Sequence, residues 1–143
     1  MDNNTDSRQK IVIVEDNQML AEIYQTRLDL IGYHCYVAHD GEQALQLIEQ
    51  VVPDLVLLDL MIPKIAGDEV LKRMRASDWG VNIRVYIISN LNEVDAPAHL
   101  RDLNIEGYTV KANLSNDDID NLVDKILTPP DQTENTSLES TQN

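Results

Sequence analysis

The chain has 143 residues, 43% of them apolar, and a formal net charge of −14, which suits one ordinary domain around a single core. Its eleven Lys and Arg residues are scattered, so the acidic field opposes binding to nucleic acid or an anionic membrane. No apolar run approaches the ~20 residues of a bilayer span and MDNNTDSRQK lacks a secretory pattern, so a soluble, cytoplasmic protein without a membrane segment is expected.

Residues 1–9 are polar and predict a disordered tail. The β-branched run IVIV (11–14) reads as the first strand. Leu20, Ile23, Tyr24, Arg27, Leu28 and Ile31 then recur at helical spacing, with Gly32 as the stop. HCYVA (34–38) is a second strand, in which the lone Cys35 cannot form an internal disulfide and is expected as a buried small apolar residue. Ala44, Leu45, Leu47, Ile48 and Val51 mark a second helix ended by Pro53, and DLVLL (54–58) is a third strand. Val70, Leu71 and Met74 carry a third helix, followed by the polar turn ASDWGVN, where Trp79 is expected to pack. IRVYII (83–88) and EGYTV (106–110) complete the strands. Between them a fourth helix is short of length, since Pro97 must occupy its first turn. Ile119, Leu122, Val123 and Ile126 form the last helix, with Ser115 as N-cap. Residues 128–143, with two prolines and one leucine, predict a second disordered tail.

Strict β-α alternation with nearly continuous apolar strands argues an α/β fold, a parallel sheet covered on both faces. Ligands of such sheets bind outside the carboxyl ends of the strands. Those ends are polar here: Glu15-Asp16-Asn17 after the first strand, Asp59 after the third, Ser89-Asn90 after the fourth and Lys111 after the fifth. Three carboxylates on one rim repel one another by up to ~4 kcal/mol per pair at 4 Å and an effective dielectric of 20. A hard divalent cation such as Mg²⁺, together with the Lys111 ammonium, is the expected compensation. Asp59 is then the nucleophile candidate, able to form an aspartyl phosphate, with Ser89 donating its hydroxyl to a phosphoryl oxygen. His34, His39 and His99 lack metal-ligand spacing and read as surface or packing residues.

Over residues 9–127 these features resemble the receiver domain of two-component response regulators. IVIVEDN resembles the family's first strand with its acidic pair, and DLVLLDLMIPKIAG its phosphoacceptor strand and loop. The intervals also match: 43 residues from Asp16 to Asp59, 30 to Ser89 and 22 to Lys111. The resemblance implies a flavodoxin-like domain over 10–127, five parallel strands in the order 2-1-3-4-5 sandwiched by five helices, an order of which a chemotaxis member of the same family is a standard example. It implies Asp59 as phosphoacceptor, Ser89 and Tyr108 as switch residues and Lys111 as the lysine of the site. It also implies Mg²⁺ held by Asp16, Asp59, the backbone carbonyl of Met61 and, through water, Glu15, with Pro63 and Gly67 shaping the loop.

Two residues depart from the family pattern. Ala112 follows Lys111 where proline is usual, so a trans bond and an altered loop at 111–114 are expected. Asn90 stands where a small alanine is common and narrows the space into which Tyr108 would swing. The implied function is that of a single-domain response regulator, not a classical enzyme: it takes a phosphoryl group from a sensor histidine kinase or histidine phosphotransfer protein. It would signal to a partner protein through the face of the fourth helix, fifth strand and fifth helix, as a monomer or a phosphorylation-dependent dimer. Met61 and Leu91, flanking the approach of an attacking water, predict a long-lived phosphoryl group. The alternative is a receiver-shaped interaction module that works without phosphorylation. A haloacid-dehalogenase-type phosphatase would need a second acid where Met61 stands, and a flavin protein a Ser/Thr/Gly-rich loop where EDNQM stands.

Overall fold

The computed structural model describes residues 6–127. The parallel strands β1 (Lys10–Val14), β2 (His34–Ala38), β3 (Leu55–Leu58), β4 (Arg84–Ser89) and β5 (Gly107–Val110) form one sheet in the order β2-β1-β3-β4-β5. Successive residues point to opposite faces, so the sheet feeds two cores. Val12, Val14, Val56, Leu58, Val85 and Ile87 pack beneath α2 (Gly41–Val51) and α3 (Gly67–Arg75). Ile11, Ile13, Leu55, Leu57 and Ile88 pack against α1 (Gln18–Leu30) and α4 (Asn116–Leu127). The fourth of the five expected helices, Ala98–Leu103, is a 3-10 helix entered at Pro97 and ended by Asn104 at φ 58°. Six residues hold less than two turns of α-helix, which is why the tighter winding serves.

Three of the four α-helices in the described residues begin at a side-chain cap, and α3 does not. Asn17 Oδ1 accepts the Leu20 N–H at 3.0 Å to cap α1, and Asp40 Oδ1 accepts the Gln43 N–H at 2.8 Å to cap α2. Ser115 and Asp118 cap α4 reciprocally. One expectation is corrected: Ile31 does not lie on the buried stripe of α1 but is its C-cap and largely exposed, and Ala21 completes the stripe instead. Gly32, at φ 109°, turns the chain into β2. Residues 1–5 and 128–143 of the two expected tails lie outside the described residues. Residues 6–9 are tied to β2, where His34 N–H donates to the Gln9 carbonyl at 2.9 Å and Asp6 Oδ2 lies 2.7 Å from His34 Nδ1. Among the described residues no peptide bond is cis, and Lys111–Asn113 forms a 3-10 turn. No helix among them is long and apolar enough to cross a membrane.

Two side chains make the fold's stability testable. The Arg75 guanidinium, at the end of α3, donates to the carbonyls of Gly80, Ile83, Leu103 and Asn104 at 2.7–3.0 Å. It thereby ties the α3–β4 turn to the end of the 3-10 helix. Arg75→Ala is expected to lower stability by roughly 1.5–3 kcal/mol in urea unfolding, the usual net worth of hydrogen bonds to a charged group, and Arg75→Lys to recover only part, since an ammonium cannot span four carbonyls.

Cys35 is buried and free of any disulfide, as expected. Burial, assisted by the Asp29 carboxylate, pushes its thiol up to about 12 from an ordinary 9.0. The fold therefore favours the protonated thiol: this contribution is intact below pH 9 and is lost as pH rises toward 12. Thermal melts between those limits should decline less steeply in Cys35→Ala than in the wild type.

Candidate phosphoacceptor site

The sheet ladder brings the candidate residues to one rim. Glu15 N–H donates to the Ala38 carbonyl at 3.0 Å and Asp59 N–H to the Val14 carbonyl at 3.2 Å, so both carboxylates leave the sheet at the same level. Both are buried, whereas Asp16 is exposed. Carboxylate oxygens of Glu15, Asp16 and Asp59 lie within 4.8 Å of one another, a set of hard oxygen donors arranged to hold a divalent cation.

Lys111 Nζ sits between two of them, 2.7 Å from Glu15 Oε1 and 2.7 Å from Asp59 Oδ2. Burial alone would lower the lysine's proton affinity, but the Asp59 and Glu15 carboxylates outweigh it and hold the ammonium above its ordinary value. For Glu15 the balance runs the other way. Burial raises its carboxyl, and the Lys111 ammonium and the Asn17 N–H only partly offset this. The remaining Asp59 oxygen, Oδ1, accepts the Met61 N–H at 3.0 Å. Both Asp59 oxygens thus have hydrogen-bond partners within the chain.

Ser89 is fully buried at the end of β4, and its Oγ accepts the Leu91 N–H at 3.3 Å. Tyr108, half-buried on β5, donates its hydroxyl to the Leu91 carbonyl at 2.7 Å. The Leu91 residue therefore links the two expected switch positions. Pro63 lies in the loop after β3 and Gly67 opens α3 at its end; a Cβ at Gly67 would collide with the Asp59 carbonyl. The Met61 side chain is 55% exposed at this rim.

Strand-end reading missed β2. His39, directly after it, places Nδ1 3.0 Å from the Glu15 carbonyl, so of the two roles expected for it, surface or packing, it takes the packing one, at the rim. Its neighbour Asp40 is buried. The same inspection of residues after the HCYVA run would have found both. Tyr24, buried on α1, also faces the cluster: its hydroxyl is held above its ordinary range by burial and by the Glu15 charge.

The model of the response regulator receiver domain family matches residues 11–124. The probable transcriptional regulator ycf27 of Guillardia theta is 33% identical over 111 residues, 78% of this chain and 42% of the relative. This chain thus spans less than half the length of that curated relative. The receiver domain of Francisella response regulator 1452 superposes with a TM-score of 0.71 at 27% identity, covering 83% of this chain and 93% of that one. The receiver domain of the sensor histidine kinase PA1611 from Pseudomonas aeruginosa, solved with a coordinated magnesium ion, shares the fold. Its TM-score is 0.73 at 20% identity, covering 86% of this chain and all of that one. With the family model matching residues 11–124, the chain belongs to the response regulator receiver domain family of two-component signalling.

Proposed function

We propose that the domain over residues 10–127 accepts a phosphoryl group on Asp59 from a sensor histidine kinase or a histidine phosphotransfer protein, and signals to a partner protein. The observation that carries this reading is the Asp59 carboxylate itself: buried, bonded to Lys111 at 2.7 Å and to the Met61 N–H at 3.0 Å, beside Glu15 and Asp16.

An Asp59 oxygen attacks phosphorus, an acyl phosphate bond forms, and the P–N bond to the donor imidazole breaks with its electron pair passing to nitrogen. The Lys111 ammonium, displaced from Asp59 Oδ2, follows the charge onto a phosphoryl oxygen. The Ser89 hydroxyl, whose oxygen already accepts from Leu91, donates its proton to another. Glu15, Asp16, Asp59 and the Met61 carbonyl would hold Mg²⁺, which fits their oxygen chemistry and supplies charge neutralisation on the transferring group. Movement of the Ser89 hydroxyl disturbs the Leu91 peptide and with it the hydrogen bond to Tyr108.

Tyr108 lines a pocket of about 260 Å³ with Val94, Pro97, Leu100 and Ile105, between the 3-10 helix and β5. The face of the 3-10 helix, β5 and α4 is the proposed output surface, working from a monomer or a phosphorylation-dependent dimer in the cytoplasm. The transcriptional activity named for the longer relatives is not carried over to this chain. Incubation with Mg²⁺ and a small phosphodonor should add one phosphoryl mass to the intact protein; an unchanged mass would count against the reading. Met61 and Leu91 stand two residues beyond the acceptor and the switch serine, where apolar side chains hinder an attacking water, so the phosphoryl group should outlast seconds in an autodephosphorylation assay.

A further inference from the structure

The loop from Asp59 to Gly67 is held not only by its own turn, where Gly67 N–H donates to the Leu60 carbonyl at 2.9 Å, but also by the corner between β2 and α2. There Gly41 N–H donates to the Pro63 carbonyl at 3.1 Å. The approach is so close that a Cβ on Gly41 would run into the Ile65 carbonyl and its side chain. Between these contacts Lys64 adopts φ 72°, a left-handed conformation that a lysine keeps only where its surroundings hold it. Its Nζ lies 3.7 Å from Asp40 Oδ2 and 3.5 Å from Glu42 Oε1. Asp40, itself buried, meanwhile caps α2 through Oδ1. The corner thus grips the middle of the loop whose first residue is the acceptor and whose Met61 N–H orients Asp59 Oδ1.

We propose that Gly41, supported by the Asp40–Lys64 pair, is a latch that positions the phosphoacceptor loop and so sets the affinity of the acidic rim for a divalent cation. None of the three residues bonds to the Asp59 carboxylate, so they are positioning residues. The cation part rests on the function proposed above; the loop part does not. Steric exclusion at Gly41 is the dominant element, because the lysine is largely exposed and surface pairs at these distances contribute little.

The test uses the full chain and two readouts. Mg²⁺ is titrated against amide NMR signals of residues 59–67, and amide hydrogen exchange is measured without Mg²⁺. In Gly41→Ala, Mg²⁺ affinity should fall about tenfold or more, the usual effect of losing an outer-shell support. Met61, Ile65 and Gly67 amides should exchange faster while α4 amides do not. Lys64→Gln and Asp40→Asn, the latter keeping the helix-capping oxygen, should weaken Mg²⁺ by about two- to fivefold, and Lys64→Arg should restore it. A folded Gly41→Ala with wild-type affinity and loop exchange, or with exchange raised equally everywhere, overturns the latch. If Gly41→Ala does not fold, unchanged loop exchange in both Lys64→Gln and Asp40→Asn overturns it. A wild type that binds no Mg²⁺ overturns the phosphoacceptor reading instead, and the exchange comparison then decides the latch alone.

Discussion

Asp59→Ala should abolish phosphoryl incorporation completely while leaving the domain folded, and it should also abolish Mg²⁺-dependent binding of beryllofluoride. The two halves of that expectation have different causes. Chemistry is lost because the carboxylate bonded to both Lys111 and the Met61 N–H is gone. Folding survives because the substitution removes one of the two buried acids that flank Lys111 while Lys111 keeps its 2.7 Å bond to Glu15, so no buried charge is stranded. The melting temperature should hold or rise, since like-charge repulsion across the rim is relieved. Intact-mass measurement after treatment with a small phosphodonor, alongside a thermal melt, separates this outcome from mere unfolding. A mass increase that persisted in Asp59→Ala would place the acceptor elsewhere. Partner capture indifferent to both Asp59→Ala and beryllofluoride would favour the interaction module that needs no phosphorylation.

Much of this was legible because the chemistry sits at strand ends, and strand ends are easy to read. Apolar runs locate the strands, parallel alternation places their carboxyl ends on one rim, and Glu15, Asp16, Asp59, Ser89 and Lys111 follow directly. Contacts that depend on loop geometry were not legible. Nothing in the letters DG at 40–41 says that a carbonyl in the loop after β3 leaves no room for a Cβ. His39 shows no metal-ligand spacing because its partner is a backbone carbonyl, which has no sequence signature. Ile31 fits the helical period of α1, but the helix stops one residue before it. Pro97 and the few residues after it forecast a short fourth helix, but not its 3-10 winding.

Lys111→Met should separate cation binding from phosphoryl transfer. In the wild type the ammonium occupies the space between Glu15 and Asp59 and competes there with any divalent cation. Its removal should tighten Mg²⁺ binding while phosphorylation slows by roughly 10²–10³-fold, the usual cost of losing one donor to the developing charge. Without Mg²⁺ the variant strands two buried carboxylates, at a cost of about 3–5 kcal/mol near neutral pH. The pH dependence carries the signature. Burial already raises the Glu15 carboxyl above 4.5, and loss of the neighbouring cation raises it further. A carboxyl whose folded pKa is raised stabilises the fold fully below its unfolded value and loses that contribution as pH rises through the folded one. The stability deficit of Lys111→Met should therefore be smallest below pH 4.5 and grow as pH rises through the raised Glu15 value. The wild type gains instead from the raised Lys111, a contribution intact below 10.5 and lost above it. Melts across this range, with and without Mg²⁺, should show the divalent cation restoring most of the variant's lost stability while leaving its phosphorylation defect in place, because the metal can replace the lysine's charge between the two acids but not its hydrogen bond to the phosphoryl oxygen.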